Sequence, residues 1–244
     1  MWRSRLTVTL FLSEQIVVNR DRPRLLSAAV VAACLTIGSA WAAYGELKPF
    51  LQLGPSLEAK VAALAAAPVT PGLSYRSKLL VLTDCNTALT SIAGAALQPD
   101  LRRAMLDNCA AIARSIVEEA PTYSFAWFIL AIVAEEKGDT ARMGEALLRS
   151  QQTAPHQEWL ALSRATLAFD HLDVLSAEAA VALADDVRLS LVSRRGVTWA
   201  AQRYVLQPDL RERLTEMVEL APAALQQRFL TAVRQQTALG RPAN

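Results

Sequence analysis

The sequence predicts an all-α protein in which an N-terminal transmembrane helix precedes a body of antiparallel helical hairpins. Residues 25–44 form an uncharged apolar run of 20 residues, and a helix of roughly 20 residues is needed to cross a hydrocarbon core. In the rest of the chain, apolar residues recur every three or four positions, which is the spacing of one helix face. No segment combines β-branched alternation with hairpin-turn residues, so we expect no sheet in the body.

The composition excludes a disordered chain and a nucleic-acid-binding body. The 244 residues are 52% hydrophobic and 20% charged, which fits one globular domain plus an apolar segment. Residues 1–24 hold five of the 25 basic residues and two of the 23 acidic ones, so the body is close to neutral. A near-neutral body lacks the basic surface that nucleic-acid binding requires, and we expect no nucleic-acid partner.

The flanks of the apolar run predict its orientation. Arg20, Arg22 and Arg24 stand directly before residues 25–44, and arginine holds its flank of a membrane helix in the cytoplasm. We therefore expect a basic cytoplasmic tail over 1–24, a transmembrane helix over 25–44 in the lipid bilayer, and a body on the far side. This describes a single-pass protein of a bacterial inner membrane whose C-terminal body lies in the periplasm.

Three fates of residues 25–44 are compatible with the sequence. The segment can be retained as an anchor, or it can be cleaved, because residues 40–42 (Ala-Trp-Ala) match the small-x-small pattern of signal peptidase sites. It can also be lipidated, because residues 31–34 (Val-Ala-Ala-Cys) resemble a lipobox. A polar tether normally follows a lipidated cysteine, whereas Leu35 continues the apolar run. All three fates place the body outside the cytoplasm.

Caps and breaks divide the remainder of the chain. We expect a juxtamembrane linker over 45–74 that contains one short helix, from the capping residue Ser56 to Ala67. A helical domain is expected over 75–240, beginning with a hairpin over 75–119. The further predicted helices span 122–137, 140–153, 156–169, 176–193, 197–205, 209–220 and 222–238.

Two pairs of charged residues are assigned from their positions in these helices. Arg194 and Arg195 stand just before Gly196 and are expected at a helix C-terminus, where cations are favoured. Asp185 and Asp186 lie within a predicted helix, and we expect both on its solvated face.

One segment resembles a tetratricopeptide repeat. The dipeptide Ala-Pro occurs at 120–121 and again at 154–155, and the spacing of 34 residues is the period of that family. In this frame Trp127 would be the repeat's usual tryptophan, Leu130 its leucine and Ala131 its small residue. Gly138-Asp139 would form the turn, Leu147 would be the large apolar residue of the second helix, and Pro155 would be the closing proline. Ala134 and Met143 depart from the pattern, and in the next frame Arg164 stands where leucine is expected. The resemblance covers residues 122–155.

This resemblance implies helical hairpins stacked as an α-solenoid whose first helices line a concave, partner-binding surface. Phe125, Phe128, Ile132 and Glu135 would face that surface. An apolar groove of this kind would suit an extended or helical apolar peptide. The alternative for Phe125 and Phe128 is that an aromatic pair three residues apart packs in the core.

The cysteines suggest one covalent bond. Cys85 and Cys109 lie on the apolar faces of the two helices in the 75–119 hairpin, about 20 Å and about 16 Å from its turn. They are thus at nearly the same level, and an oxidising compartment would allow a disulfide between them. The alternative is two free cysteines in the core. Cys34, in the membrane segment, is expected to be an inert small hydrophobe.

The chain lacks recognisable catalytic patterns. Its two histidines, His156 and His171, form no His-Glu-x-x-His helix, and there is no phosphate-binding glycine loop or nucleophile elbow. We therefore expect no enzymatic activity, no catalytic residues, no cofactor and no metal site.

The predicted function is a non-catalytic, membrane-anchored periplasmic adaptor or scaffold that binds protein partners in or near the inner membrane. Its setting would be an envelope assembly, such as a polysaccharide-export or secretion machine. The alternatives are a structural subunit of a larger inner-membrane complex and an envelope enzyme of unrecognised type.

Overall fold

A computed structural model of the chain describes residues 4–239, with side chains for Arg22 and residues 24–239. Most side chains of the predicted basic tail over 1–24 lie outside the described residues, as does the last residue of the predicted domain over 75–240. The described part is all-helical and contains no strand, which confirms the predicted all-α class.

The described residues contain twelve α-helices, numbered here α1 to α12. They are Ser4–Leu53, Leu57–Ala66, Tyr75–Thr90, Ile92–Ala95, Pro99–Glu119, Ser124–Glu136, Thr140–Thr153, Glu158–Phe169, Ala177–Ser190, Arg194–Leu206, Arg211–Glu219 and Ala223–Leu239. Two single 3₁₀ turns, Leu172–Val174 and Pro208–Leu210, precede α9 and α11.

Helix α1 contains the predicted transmembrane segment. Between Arg24 and Leu53 it is long and apolar enough to cross a membrane, and its apolar window is not buried against the body. The sequence predicted that the helix would end near Tyr44, but it continues to Leu53. It ends there because Gly54 has a φ of 72°, the left-handed conformation that terminates helices and that glycine adopts without strain.

Within the segment predicted as a linker over 45–74, residues 45–53 continue α1 and the short helix α2 packs in the core of the body. Ser56 caps α2 as expected, its hydroxyl accepting a hydrogen bond from the Ala59 N–H. However, Leu64 is fully buried in the core, and its carbonyl accepts a hydrogen bond of 2.8 Å from the Asn108 side chain on α5. The sequence places apolar residues on one face of α2, and that face needs a partner surface.

The remaining helices follow one another along two sides of the body. On one side α6 contacts α3 and α8, and on the other side α7 contacts α9, which contacts α11. Within the body, α6 pairs with α7 and α8 pairs with α9, while α12 packs on α10. A disulfide between Cys85 and Cys109 joins α3 to α5, with both side chains fully buried and a Cα–Cα distance of 5.8 Å.

The start of α10 differs from the prediction. Arg194 and Arg195 form the first turn of α10, not the end of the preceding helix. Ser193 begins the helix by accepting a hydrogen bond of 3.0 Å from the Gly196 N–H. Gly196 does not break the chain; a Cβ there would lie 2.1 Å from the Ser190 carbonyl oxygen, so glycine allows α9 and α10 to approach.

Candidate partner-binding groove

A groove of about 990 Å³ lies on one side of the body. Its lining comes from α3, α6, α8 and α10 and from the residues next to their ends. The apolar residues that line it are Phe128, Ile132, Trp159, Leu162, Leu167 and Trp199. The charged ones are Glu135, Glu136, Glu158, Asp170, Arg194 and Arg195.

The four helices that line the groove run in the same direction. Near their N-termini, the Tyr75 ring of α3 stacks on Tyr123, just before α6, with 5.2 Å between ring centroids. The Phe125 and Trp159 rings join the starts of α6 and α8 at 5.0 Å. At the other end, Asp170, just after α8, accepts a hydrogen bond of 3.1 Å from Arg203 near the end of α10.

The floor of the groove comes from α6. Phe128 and Ile132 are only 4% and 5% exposed, so they contribute the base and little free surface. Glu135 lies one turn further along the same face and is half-buried. The spacing of three and four residues puts all three side chains on the side of α6 that faces the groove.

The walls carry the accessible aromatic surface. Trp159 on α8 is 46% exposed, and its ring meets the Phe125 ring nearly at right angles, at 81°. Trp199 on α10 is half-buried and packs edge-to-face on Phe169, with 5.6 Å between centroids. Edge-to-face packing fixes both indoles in position.

Three of the four residues predicted to bind a partner line this groove. Phe128, Ile132 and Glu135 do so, but Phe125 does not. Phe125 is 5% exposed because Trp159, from the next helix pair, covers its ring. In the structure Phe125 thus packs in the core, and Phe128 is both a core residue and part of the floor.

Sequence reasoning assigned no role to Trp159 or Trp199, the two tryptophans in the walls. A usable signal was present on α8, where Trp159, Leu162, Thr166 and Asp170 recur at spacings of three and four. That pattern describes a mixed face that is neither core nor fully solvated.

The charged residues differ between the two ends of the groove. At the end where α6 and α8 finish, Glu136 is paired with Arg102 at 2.6 Å, and Glu135 lies 3.4 Å from His171. At the other end lie Glu158, Arg194 and Arg195, which are exposed and form no ion pair among the described residues. Helix N-termini, which are partly positive, lie at this second end.

Behind the groove, α8 is held to α9 by a buried ion pair. Arg164 and Asp186 are 1% and 3% exposed, and the guanidinium donates two hydrogen bonds of 2.6 and 2.7 Å to the carboxylate. Burial raises the pKa of Asp186 while Arg164 opposes the shift. Asp186 is thus a core residue, contrary to the expected solvated face. Asp185 is partly exposed and pairs with Arg188.

Comparison with known proteins finds no match among protein families, curated proteins or solved structures. Within residues 4–239, no group of three or more His, Cys, Asp or Glu side chains is placed to hold a metal ion. The geometry of the groove is therefore the basis for the function proposed below.

Proposed function

We propose that this protein is a membrane-anchored adaptor whose groove binds a segment of a partner protein. Helix α1 is the single-pass anchor, and the body faces the periplasm as a divergent, tetratricopeptide-like stack of helix pairs. The function is non-catalytic and belongs to an envelope assembly. Two structural features support it: the described body is all-helical, and one N-terminal helix is long and apolar enough to span a membrane.

The pair α6–α7 supports the relation to tetratricopeptide repeats. Gly138 adopts a φ of 72° at the turn, and the Asp139 side chain caps α7 by accepting a hydrogen bond of 3.0 Å from the Arg142 N–H. Trp127 donates a hydrogen bond of 2.8 Å to the Pro121 carbonyl. These residues therefore perform local structural roles at the positions where the repeat pattern places them.

The observation that carries the proposal is the groove itself. Its volume of about 990 Å³ is at the upper end of the range typical of ligand pockets, and four parallel helices make it open. Its floor is apolar, its walls carry two tryptophans among polar and charged side chains, and two carboxylates at one end, those of Glu136 and Asp170, are already engaged by arginines. A groove that combines an apolar floor and exposed indole surface with polar walls suits a segment of a partner protein.

A photo-crosslinking experiment tests this proposal. A photoreactive amino acid replaces Thr166 inside the groove, and a matched control replaces Val181, which is 66% exposed on α9. We expect intact cells to give a defined protein adduct from position 166 and none from position 181.

The variant Trp159→Ala should remove most of that adduct while leaving the helical circular dichroism unchanged, because half of this indole is already in solvent. Phe128→Ala is a poor test, because its buried ring also supports the core. Equal adducts from both positions, or an adduct that is insensitive to Trp159→Ala, would contradict the groove proposal.

A further inference from the structure

The end of α1 is docked on the body, and a pair of hydrogen bonds defines one point of this contact. The Glu46 carboxylate accepts a hydrogen bond of 2.8 Å from the Ser74 N–H and a second one from the Ser74 hydroxyl. Ser74 is also the residue that caps α3. Gly72 permits this approach, because a Cβ there would lie 2.8 Å from the Glu46 carboxylate. The chain next to Ser74 is thus held directly against α1.

The position of Glu46 along α1 fixes the depth of this contact. Glu46 lies 22 residues after Arg24, which is about 33 Å along the helix axis. A hydrocarbon core is about 30 Å thick, so a span that starts at Arg24 ends close to Glu46. The segment around Ser74 then lies at the boundary between the acyl chains and the headgroups.

Exposed apolar side chains surround this contact. Leu73, directly before Ser74, is 81% exposed, and on α1 Leu47, Phe50 and Leu51 are 57%, 54% and 75% exposed. Their spacing of three and four residues puts the α1 residues on one face, opposite the buried Pro49 and Leu53. We call Leu47, Phe50, Leu51 and Leu73 the boundary patch.

We propose that the boundary patch inserts into the headgroup–acyl boundary of the bilayer that α1 crosses, so that the body rests on the lipid surface. We assign lipid as the partner of the patch because the proposed span of α1 puts these side chains at the level of the membrane surface. Charge supports this choice, since the exposed cation Arg76 follows the patch by three residues, and cations are attracted to anionic headgroups. The inference rests on the proposed membrane span.

Spin-label accessibility in lipid nanodiscs tests this inference on the full chain. The nanodiscs contain phosphatidylethanolamine and phosphatidylglycerol, and the background is Cys34→Ser, which removes the free cysteine. Single labels are attached in the variants Leu73→Cys and Leu51→Cys. Ile37→Cys reports the middle of the span, and Val181→Cys is the control for an exposed apolar residue of the body.

We expect the ratio of oxygen to nickel-chelate accessibility at Leu73 and Leu51 to exceed that at Val181 and to stay below that at Ile37, as a position at the boundary requires. A water-like ratio at Leu73 would overturn the inference, even with a lipid-like ratio at Leu51, because α1 alone would then touch the bilayer. A water-like ratio at Ile37 would overturn the membrane anchor as well, which separates the two failures. Leu73 is almost fully exposed, so its substitution does not threaten the fold.

Discussion

Breaking the buried pair between Arg164 and Asp186 is expected to destabilise the body strongly. The substitution Asp186→Asn keeps the shape of the side chain but leaves the guanidinium charge without its counter-charge in a site that is 1% exposed. Removing one partner of a buried pair costs about 3–5 kcal/mol. We expect a loss of that size in the free energy of unfolding.

The substitution Arg164→Met removes the other partner of the pair, and the resulting loss in the free energy of unfolding should depend on pH. Burial already raises the pKa of Asp186 above its usual value of 3.8, and Arg164 is the influence that lowers it. Without Arg164 the pKa of the folded state rises further above that of the unfolded state. Such a group contributes stability that is present below pH 3.8 and is lost as the pH rises through the folded-state pKa.

The stabilities of the two single variants should therefore respond differently to pH. On going from pH 7 to pH 5, Arg164→Met should regain stability relative to the wild type, by up to about 1.4 kcal/mol per pH unit. Asp186→Asn should regain none, because arginine stays charged in proteins. The double variant Arg164→Met/Asp186→Leu removes both charges and should lie within about 1 kcal/mol of the wild type.

Urea unfolding of the full chain in detergent micelles, followed by circular dichroism, measures all three variants at both pH values. The reasoning fails if Asp186→Asn costs less than about 1 kcal/mol, which is the range of a solvent-exposed pair. It also fails if acid stabilises Asp186→Asn in place of Arg164→Met. A double variant as unstable as the worse single one would show that hydrogen bonds, and not charge, hold α8 to α9.

Three further predictions concern covalent, backbone and topological features. Reducing the Cys85–Cys109 bond, which closes a loop with a sequence separation of 24, should lower the free energy of unfolding by about 3 kcal/mol on the chain-entropy estimate; an unchanged urea midpoint under reductant would contradict this. Gly138→Ala should cost about 1 kcal/mol, because its φ is 72° although no atom obstructs a Cβ. Gly144→Ala, in helix α7 with its nearest neighbour at 3.8 Å, should instead stabilise by up to about 1 kcal/mol, and thermal unfolding compares the two. Alkaline phosphatase fused to the C-terminus should be active and green fluorescent protein dark; the reverse pattern would place the body in the cytoplasm.

The features that the sequence predicted well are those set by local chemistry. The helices α6 and α7 begin and end within two residues of the predicted 122–137 and 140–153, because a glycine with positive φ and an aspartate cap define their turn. The similar distances of Cys85 and Cys109 from the turn of their hairpin followed from the rise per residue of a helix alone. Neither inference required knowledge of how one helix pair lies on the next.

The features that were missed depend on contacts between helix pairs. Asp186 is buried because Arg164, 22 residues earlier, meets it across two helices, and a sequence pattern cannot distinguish that partner from solvent. The place of Trp159 in the groove wall depends on how α8 crosses α6. The end of α1 at Leu53 could not be predicted because it depends on the positive φ of Gly54. That conformation is adopted where the chain turns back and α2 packs on the body.

The apolar surface beyond Tyr44 favours one fate of the N-terminal segment. Cleavage after Ala42 would leave Glu46 docked on Ser74, so the fold would survive, but Phe50 and Leu51 would remain 54% and 75% exposed on a helix in water. Soluble proteins rarely leave adjoining apolar side chains exposed without a function for them. A retained α1 that crosses the membrane, as proposed, would instead hold these side chains at the edge of the bilayer.

We therefore expect the protein purified from membranes to retain residues 25–42. Intact-mass measurement tests this directly, since the full chain has a mass of 26.5 kDa and cleavage would remove the segment before Ala43. The variant Ala42→Leu, which spoils the small-x-small pattern, should leave the mass unchanged apart from the substitution. A product beginning at Ala43, converted to the longer form by Ala42→Leu, would refute retention and with it the proposed contact between body and lipid.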